Sequence, residues 1–572
     1  MKNKNAFVRT DKPAGEVWVW LTGLGLAIGL FMILFLLAII AWNGFNYFWP
    51  KKVVEITLSE EDGYLFRGGN TVAGVITQER GMIVENLAPN QAHLLDQATD
   101  NPDYLREIQL YTGNRDVYGQ TFAYLNKGKI ESIEHPKGIL MVERLEWGNA
   151  ILFPRKLVFA DGTEVSVEDP EFDRLLRREL SVVRERRSVL DELERRQMGR
   201  INLRIDRARN ELRYFDSLLE LSERQARERA DYQERIERLN EELQPLLDES
   251  DRLRAKQREV TFHFVLPDGE ERSQPMGDIV NFYYPNAMSV IDRWSWFFFK
   301  IWEFLTDYPR EANTEGGIFP ALFGTLVMTI LMSLAVTPFG VLAAVYLREY
   351  AKQGPLVSAV RISINNLAGV PAIVFGVFGL GFFIHVVGAQ IDNWFFPRMV
   401  AINTPVFGTG GILWASLTLA LMTVPVVIVA TEEALAAVPR GVREGSLACG
   451  ASKWQTIQRL VLPASSPGIL TGLILAMARG AGEVAPLLLV GVMALAPSLP
   501  VDDLFPFIHL DRKFMHLGFH IYIVALQSPD TEATKPLVFA STLVLIMLVV
   551  VLNLTAILIR NHLRKKYMSS TF

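Results

Sequence analysis

One cysteine, Cys449, is present in 572 residues, so no intrachain disulfide is open to this chain, and any extracytoplasmic part must fold without one. There is no phosphate-cradling GxxxxGK[ST] stretch and no triad spacing of nucleophile, base and acid, which sets aside an ATPase or a hydrolase in this chain. A strong net charge is also missing. The balance is −5, which argues neither for nor against a nucleic-acid partner, and none is expected. Between residues 50 and 315 no run is apolar enough to span a membrane, and from about Glu171 to Arg258 Gly and Pro nearly vanish. Yet the whole is half hydrophobic and 21% charged, figures that conflict for one uniform domain. They describe a mosaic of membrane spans and a very polar segment.

The first apolar run, 17–42, is long enough to cross a hydrocarbon core of ~30 Å. It is too long for a signal-peptide core, and Trp42, Phe45, Tyr47, Phe48 and Trp49 follow it like an interfacial belt. An uncleaved anchor is expected, its N-terminus held in the cytoplasm by Lys2, Lys4, Arg9 and Lys12 of the 1–16 tail. Five more spans read at about 319–346, 364–388, 411–430, 468–496 and 536–560, within a core of 316–560. Arg348, Lys352 and Arg361 follow the second span, Arg440, Arg443, Lys453 and Arg459 the fourth, and Arg560, Arg564, Lys565 and Lys566 the sixth. The 389–410 loop carries only Arg398, and the 497–535 loop only Arg512, Lys513 and Lys535. The positive-inside rule then puts both termini (the second being the 561–572 tail) and the 431–467 loop in the cytoplasm, and 43–315 outside.

The outer segment reads as an α+β domain. Strand-like runs lie at 51–59, 139–145, 150–159, 164–167 and 260–282, with turn signals at Asp161-Gly162 and Pro267-Asp268-Gly269. In 171–258, apolar residues recur at helical spacing: Leu176, Leu180, Val183 and Leu190, then Ile201, Ala208 and Phe215, then Ile236, Leu239, Leu243 and Leu246. A single helix of that length would reach about 130 Å at ~1.5 Å per residue. Strand-like runs at both ends favour a coiled-coil or helical hairpin instead, with no Gly or Pro to mark its tip. The aromatic, amphipathic 294–305 is too short to span and is expected at the membrane surface.

Two stretches carry the functional reading. Residues 444–463, EGSLACGASKWQTIQRLVLP, are polar and lie between apolar runs. Helix through Cys449, a break at Gly450, a second short helix capped by Ser452 and a stop at Pro463 make a rigid knob that another protein could grip. A connecting loop of no special role is the alternative. In the fifth span, Arg479 and Glu483 sit four residues apart on one helix face, with Arg479 near the bilayer centre. A charge there costs at least ~2.5–3.5 kcal/mol and must be offset. Either the two neutralise each other and staple the bundle, or Arg479 offers its fork to an oxyanion in transit while Glu483 tempers the affinity. Gly480 and Gly482 strip that face of bulk, so a neighbour could approach closely. His516 and His520, with His509, Asp502 and Asp503 nearby, have metal-compatible i, i+4 spacing but no obvious third ligand. No metal is expected. Pro338, Pro371, Pro425 and Pro486 fall inside the expected spans.

The 444–463 spacing resembles the EAA loop of ABC importer permeases: Glu444-Gly445-Ser446, then Gly450-Ala451, then Leu460-Val461-Leu462-Pro463. Gly-Ser replaces Ala-Ala, and Leu replaces Ile. Beyond it, GGIFPALFGTLVMT (316–329), AVYLREYA (344–351), NLAGVPAIVFGVFGLGFF (366–383) and ARGAGEVAPLL (478–488) make 316–560 similar to the PstA-type permease subunit of bacterial phosphate ABC importers. The resemblance implies a mostly α, six-helix, type I-like permease, with the α+β insertion as its departure. It implies transport of phosphate across the bacterial inner membrane by alternating access, with Arg479 and Glu483 in the substrate path. It also implies that Glu444, Gly445, Ser446, Gly450, Ala451, Leu462 and Pro463 couple to an ATPase. The chain itself would be no enzyme and hold no cofactor. ATP and Mg would bind a PstB-type ATPase dimer, beside a PstC-type second permease, a PstS-type binding protein and membrane lipid. Other readings are a permease for sulfate or molybdate, or a membrane scaffold reporting phosphate status through a partner-binding arm.

Overall fold

The computed structural model describes residues 17–59, 70–81, 101–503 and 505–568. The basic residues expected to orient the N-terminus, and the last residues of the C-terminal tail, lie outside the described residues. Among those described, six helices are long and apolar enough to cross a membrane: Trp20–Phe48, Phe319–Tyr350, Ala372–Phe395, Ile412–Ala437, Lys453–Gly482 and Thr531–His562. The chain is a mostly helical, multi-pass membrane protein with an α+β insertion after its first span.

The insertion holds two antiparallel sheets. In the first, β1 (Val54–Leu58), β2 (Thr71–Gly81), β3 (Arg106–Tyr111), β4 (Phe122–Asn126) and β5 (Ile130–Glu134) run in the order β4-β3-β2-β1-β5. The second contains β6 (Leu140–Arg144), β7 (Asn149–Val158), β8 (Glu164–Ser166), β9 (Thr261–Val265), β10 (Glu271–Pro275) and β11 (Ile279–Tyr283). Its order is β10-β9-β7-β6-β11, with β8 on β7. Strands β2 and β3 carry little alternation; β2 is buried at Val72–Val75 and then fully exposed, with its register shifting after Ile76. Period-2 reading passes over such a strand.

Between β8 and β9 runs the helical hairpin: α1 is the first span (Val17–Phe48), α2 is Phe172–Asp191, α3 is Gly199–Asp216 and α4 is Glu223–Gln257. A π turn, Glu192–Met198, joins α2 to α3. The tip falls at Ser217–Ser222, where Ser222 and Gln225 close a reciprocal capping box at the start of α4. The apolar stripe serves two partners in turn. Leu176, Leu180 and Val183 pack under the second sheet with Phe262 and Phe264, while Ile201 and Ile205 pack against Leu239 of α4.

α5 (Val290–Thr306) is the aromatic helix, capped by Ser289 and Asp292. It buries Phe297 and Phe304 against Phe48 and exposes Trp294, Phe298 and Trp302, a lipid-facing arrangement. The bundle core gathers Met328 and Met332 of α6 (Phe319–Val345), Leu419 and Met422 of α9 (Ile412–Ala437), and Ala476 of α11 (Leu462–Gly482). α7 (Pro355–Leu367) ends before Pro371, and α8 starts after it at Ala372. α10 (Arg440–Ala448) follows α9, and α12 (Leu517–Leu526) is buried beside the last helix, α13 (Thr531–Met568).

Candidate functional site

Arg479 lies in the last turn of α11, which ends at Gly482. The expected span of 468–496 is therefore displaced. The helix starts at Lys453, runs through a π turn at Ile457–Val461 and continues past Pro463 to Gly482. Pro463 does not stop it, because it directly follows the widened π turn, where the regular i to i−4 bonding its missing N–H would break is already interrupted. Arg479 is consequently at a helix C-terminus, where the dipole favours a cation, and not at the middle of a continuous helix. Glu483 has left the helix, with φ −82° and ψ 127°, yet its Oε1 is 3.6 Å from Arg479 Nε. Both side chains remain partly exposed, at 33% and 26%, so one side of the pair is open within this chain.

The glycines flanking Arg479 differ. A Cβ on Gly480 would lie 2.3 Å from Met332 Sδ, so the Met332 side chain of α6 packs directly onto α11 there. Gly482 faces open space, with nothing within 4 Å, and does not serve helix approach. The chain then turns through Ala485-Pro486 into the short helix Leu487–Val490, buried in the bundle core. Pro486 thus sits in a break, and Pro371 sits just ahead of a helix. Pro338 and Pro425 are inside helices.

The 444–463 stretch forms at the other end of α11. α10 ends at Ala448 with Cys449 as its cap, and Gly450 takes φ +86°, a left-handed conformation that suits glycine. Ser452 caps the next turn with Gln455 in a reciprocal box. Ser446 Oγ and Thr456 Oγ1, 2.9 Å apart, tie the two arms of the bend. No residue of α10 is buried; Glu444, Gly445, Leu447 and Gly450 are exposed, and so is Trp454. Ala451, Leu462 and Pro463 are half-buried at the root.

Sequence reasoning missed what holds this element. Arg443 forks onto Glu349 Oε1 (2.9 Å from Nη2) and onto the carbonyls of Leu435 (2.7 Å) and Val438 (2.6 Å). Lys453 also reaches the Glu349 carbonyl. The arginine had counted only as a topological charge, but an acid in AVYLREYA and a base in the loop were a signal that could have been paired.

The histidines near the 497–535 loop take separate places. His509 Nε2 is 2.8 Å from Asp502 Oδ1, Arg512 pairs with the same acid, and Asp503 pairs with Arg200 of the hairpin. His516 and His520 are buried apart from them, and among the described residues no group of three metal-ligating side chains forms.

A family model described as "Binding-protein-dependent transport system inner membrane component" matches residues 336–569. The probable ABC transporter permease protein YqgI of Bacillus subtilis is 31% identical over 261 residues, which is 44% of this chain and 81% of that one. The phosphate transport system permease protein PstA of Mycobacterium leprae is 34% identical over 245 residues, 42% of this chain and 69% of that one. This chain belongs to the PstA-type ABC transporter permeases. As a permease subunit it is a membrane transport component and not an enzyme. Among solved structures, an inward-facing MetNI methionine ABC transporter matches 42% of this permease and 94% of its own chain, at 18% identity and a TM-score of 0.29. The family model's match begins at residue 336, beyond the hairpin, whose place in the permease rests on its own contacts.

Those contacts fold the hairpin back onto the bundle. Arg398, in the short helix Pro397–Ala401 just after the third span, sits between Glu211 (3.0 Å) and Glu228 (3.3 Å) and lies over the Tyr214 and Phe215 rings at 5.5 and 5.3 Å. Arg200 meets Asp503 at 3.3 Å, and Arg195 covers Tyr308 at 3.8 Å. Where the insertion re-enters the bundle, Glu311 accepts the backbone N–H groups of Trp147 and Gly148, and Asn313 donates to the Ala494 carbonyl at 3.0 Å.

Proposed function

We propose that this permease subunit moves inorganic phosphate across the bacterial inner membrane by alternating access, with Arg479 contacting the anion. The observation that carries the proposal is the Arg479–Glu483 pair: a fixed cation at a helix end, 3.6 Å from its acid and open on one side. A tetrahedral oxyanion suits the guanidinium fork and could displace the carboxylate, so binding and release become an exchange of partners. The phosphate named in the PstA relatives supports this choice of anion. A second permease subunit would cover the open side, and a binding protein would deliver the substrate at the insertion face.

Coupling to a separate ATPase dimer is assigned to the exposed 444–463 element. Its helix buries nothing within this chain, while Arg443 and Glu349 brace its root, as a lever gripped from outside requires. The basic loops lie on this side, which supports a cytoplasmic face here, cytoplasmic termini, and a periplasmic insertion.

The test is uptake of radiolabelled phosphate by phosphate-starved cells lacking their own gene. They would be complemented with the intact chain, with Arg479→Gln, or with residues 60–280 replaced by a short linker, each checked for membrane expression. Restoration by the intact chain and not by Arg479→Gln is the expected result. No restoration with the partner subunits present overturns phosphate import, and sulfate and molybdate uptake then decide between another oxyanion and a scaffold.

A further inference from the structure

At the junction of insertion and bundle lies a cavity of about 250 Å³. It is walled by the end of the first span, the β2/β3 and β6/β11 strands, α5, the 309–316 hairpin and the start of the last span. Its aromatic lining, including Tyr47, Tyr111 and Trp296, sits beside the exposed Trp294, Phe298 and Trp302 of α5, and so at the level of lipid headgroups.

The wall carries Lys51, Lys300 and Arg310 against Glu143, Glu303 and Glu315, but they are not all paired with one another. Lys300 is shared by two acids, Glu143 at 2.9 Å and Glu303 in closer contact, and the Asn281 amide donates to both carboxylates, so that cluster is satisfied from within. Glu315 also lines the cavity and makes no ion pair among the described residues. Arg310 is its backbone partner across the two-residue ladder, yet the guanidinium leaves Nε buried without a hydrogen-bond partner. Burial, then repulsion from Glu311, pushes the Glu315 carboxyl up to about 7. The buried, unpartnered Nε of Arg310 and the Glu315 carboxyl, which has no ion pair, face one roomy space that a ligand or water would complete.

We infer that this cavity binds a phosphoethanolamine group, its ammonium toward Glu315 and its phosphate toward Arg310. A primary ammonium supplies N–H donors to the Glu315 carboxylate, which a trimethylammonium cannot do. A phosphate on the same small group answers the guanidinium. The position beside the aromatic belt favours a phosphatidylethanolamine headgroup from the leaflet on the insertion side; a free phosphoethanolamine has the same chemistry.

The full-length chain, purified in detergent, would be offered equal amounts of phosphatidylethanolamine, phosphatidylcholine and phosphatidylglycerol, and retained lipid read by native mass spectrometry. Wild type is expected to keep phosphatidylethanolamine over each of the others by about tenfold. Glu315→Gln, nearly isosteric, and Arg310→Gln should each bring the ratio close to one. Ala533→Phe, which fills the cavity from the last span without removing a charge, should do the same and covers the case in which a charge variant fails to fold. Competition by soluble O-phosphoethanolamine with no retained lipid would keep the chemistry and assign a soluble source. Equal retention of the three lipids by wild type with no effect of O-phosphoethanolamine, or an undiminished preference in Glu315→Gln, overturns the inference.

Discussion

Arg443 satisfies three oxygens from two separate helices, and lysine cannot reproduce that fork. Arg443→Lys is expected to weaken phosphate uptake severalfold while the chain still reaches the membrane. Arg443→Ala should also cost about 1.5–3 kcal/mol, the usual worth of a charge-assisted bond, read as a lower unfolding temperature of the purified chain. Glu315 predicts a pH effect outside the spans. Its carboxyl is raised from 4.5 to about 7, chiefly by burial. The folded state therefore binds that proton more tightly than the unfolded chain does. Its contribution is fully present below about pH 4.5 and is lost as pH rises through about 7. Thermal unfolding measured from pH 4.5 to 8 should show this decline, and Glu315→Gln should flatten it. Neither residue stood out in the sequence, because charge pairing across 94 residues and burial by a distant sheet leave no local pattern.

Glycine spacing in α11 shows what an element's environment adds to its sequence. Gly480 and Gly482 read alike, yet only Gly480 meets another helix. Gly480→Leu should cost ~1–3 kcal/mol by overpacking against Met332, whereas Gly482→Ala should be near neutral. Unfolding temperatures of the two variants test the contrast. The hairpin makes a second case. Its helices and amphipathic stripe were legible from the 3.6-residue period, but its tip was not, because a serine-bounded turn without Gly or Pro has no strong breaker signal. Nor does periodicity disclose that Arg398 clamps the tip region to the bundle. Arg398→Ala removes the partner of Glu211 and Glu228 together, and amide exchange across 211–228 should speed up by about tenfold or more, with α2 unchanged.

At the scale of the molecule, the insertion and the bundle are joined at several polar seams. Glu311 holds the Trp147–Gly148 turn, Asn313 holds the Ala494 carbonyl, and Arg200 and Arg398 hold the hairpin. Such seams transmit a displacement better than a loose tether would, so the linker variant lacking 60–280 should change uptake even with Arg479 intact. Initial rates compared with the intact chain measure that effect. The sequence alone determined the membrane class, the helical hairpin and the family of this permease. Those properties follow from hydrophobic run length, periodicity and short motifs, which are written locally along the chain. The tertiary structure alone decided where α11 begins and ends, which glycine is a contact, what braces the 444–463 element and where the hairpin lies. Each of these depends on residues far apart in sequence meeting in space, and packing and ion pairing there override the local signals of proline, glycine and charge.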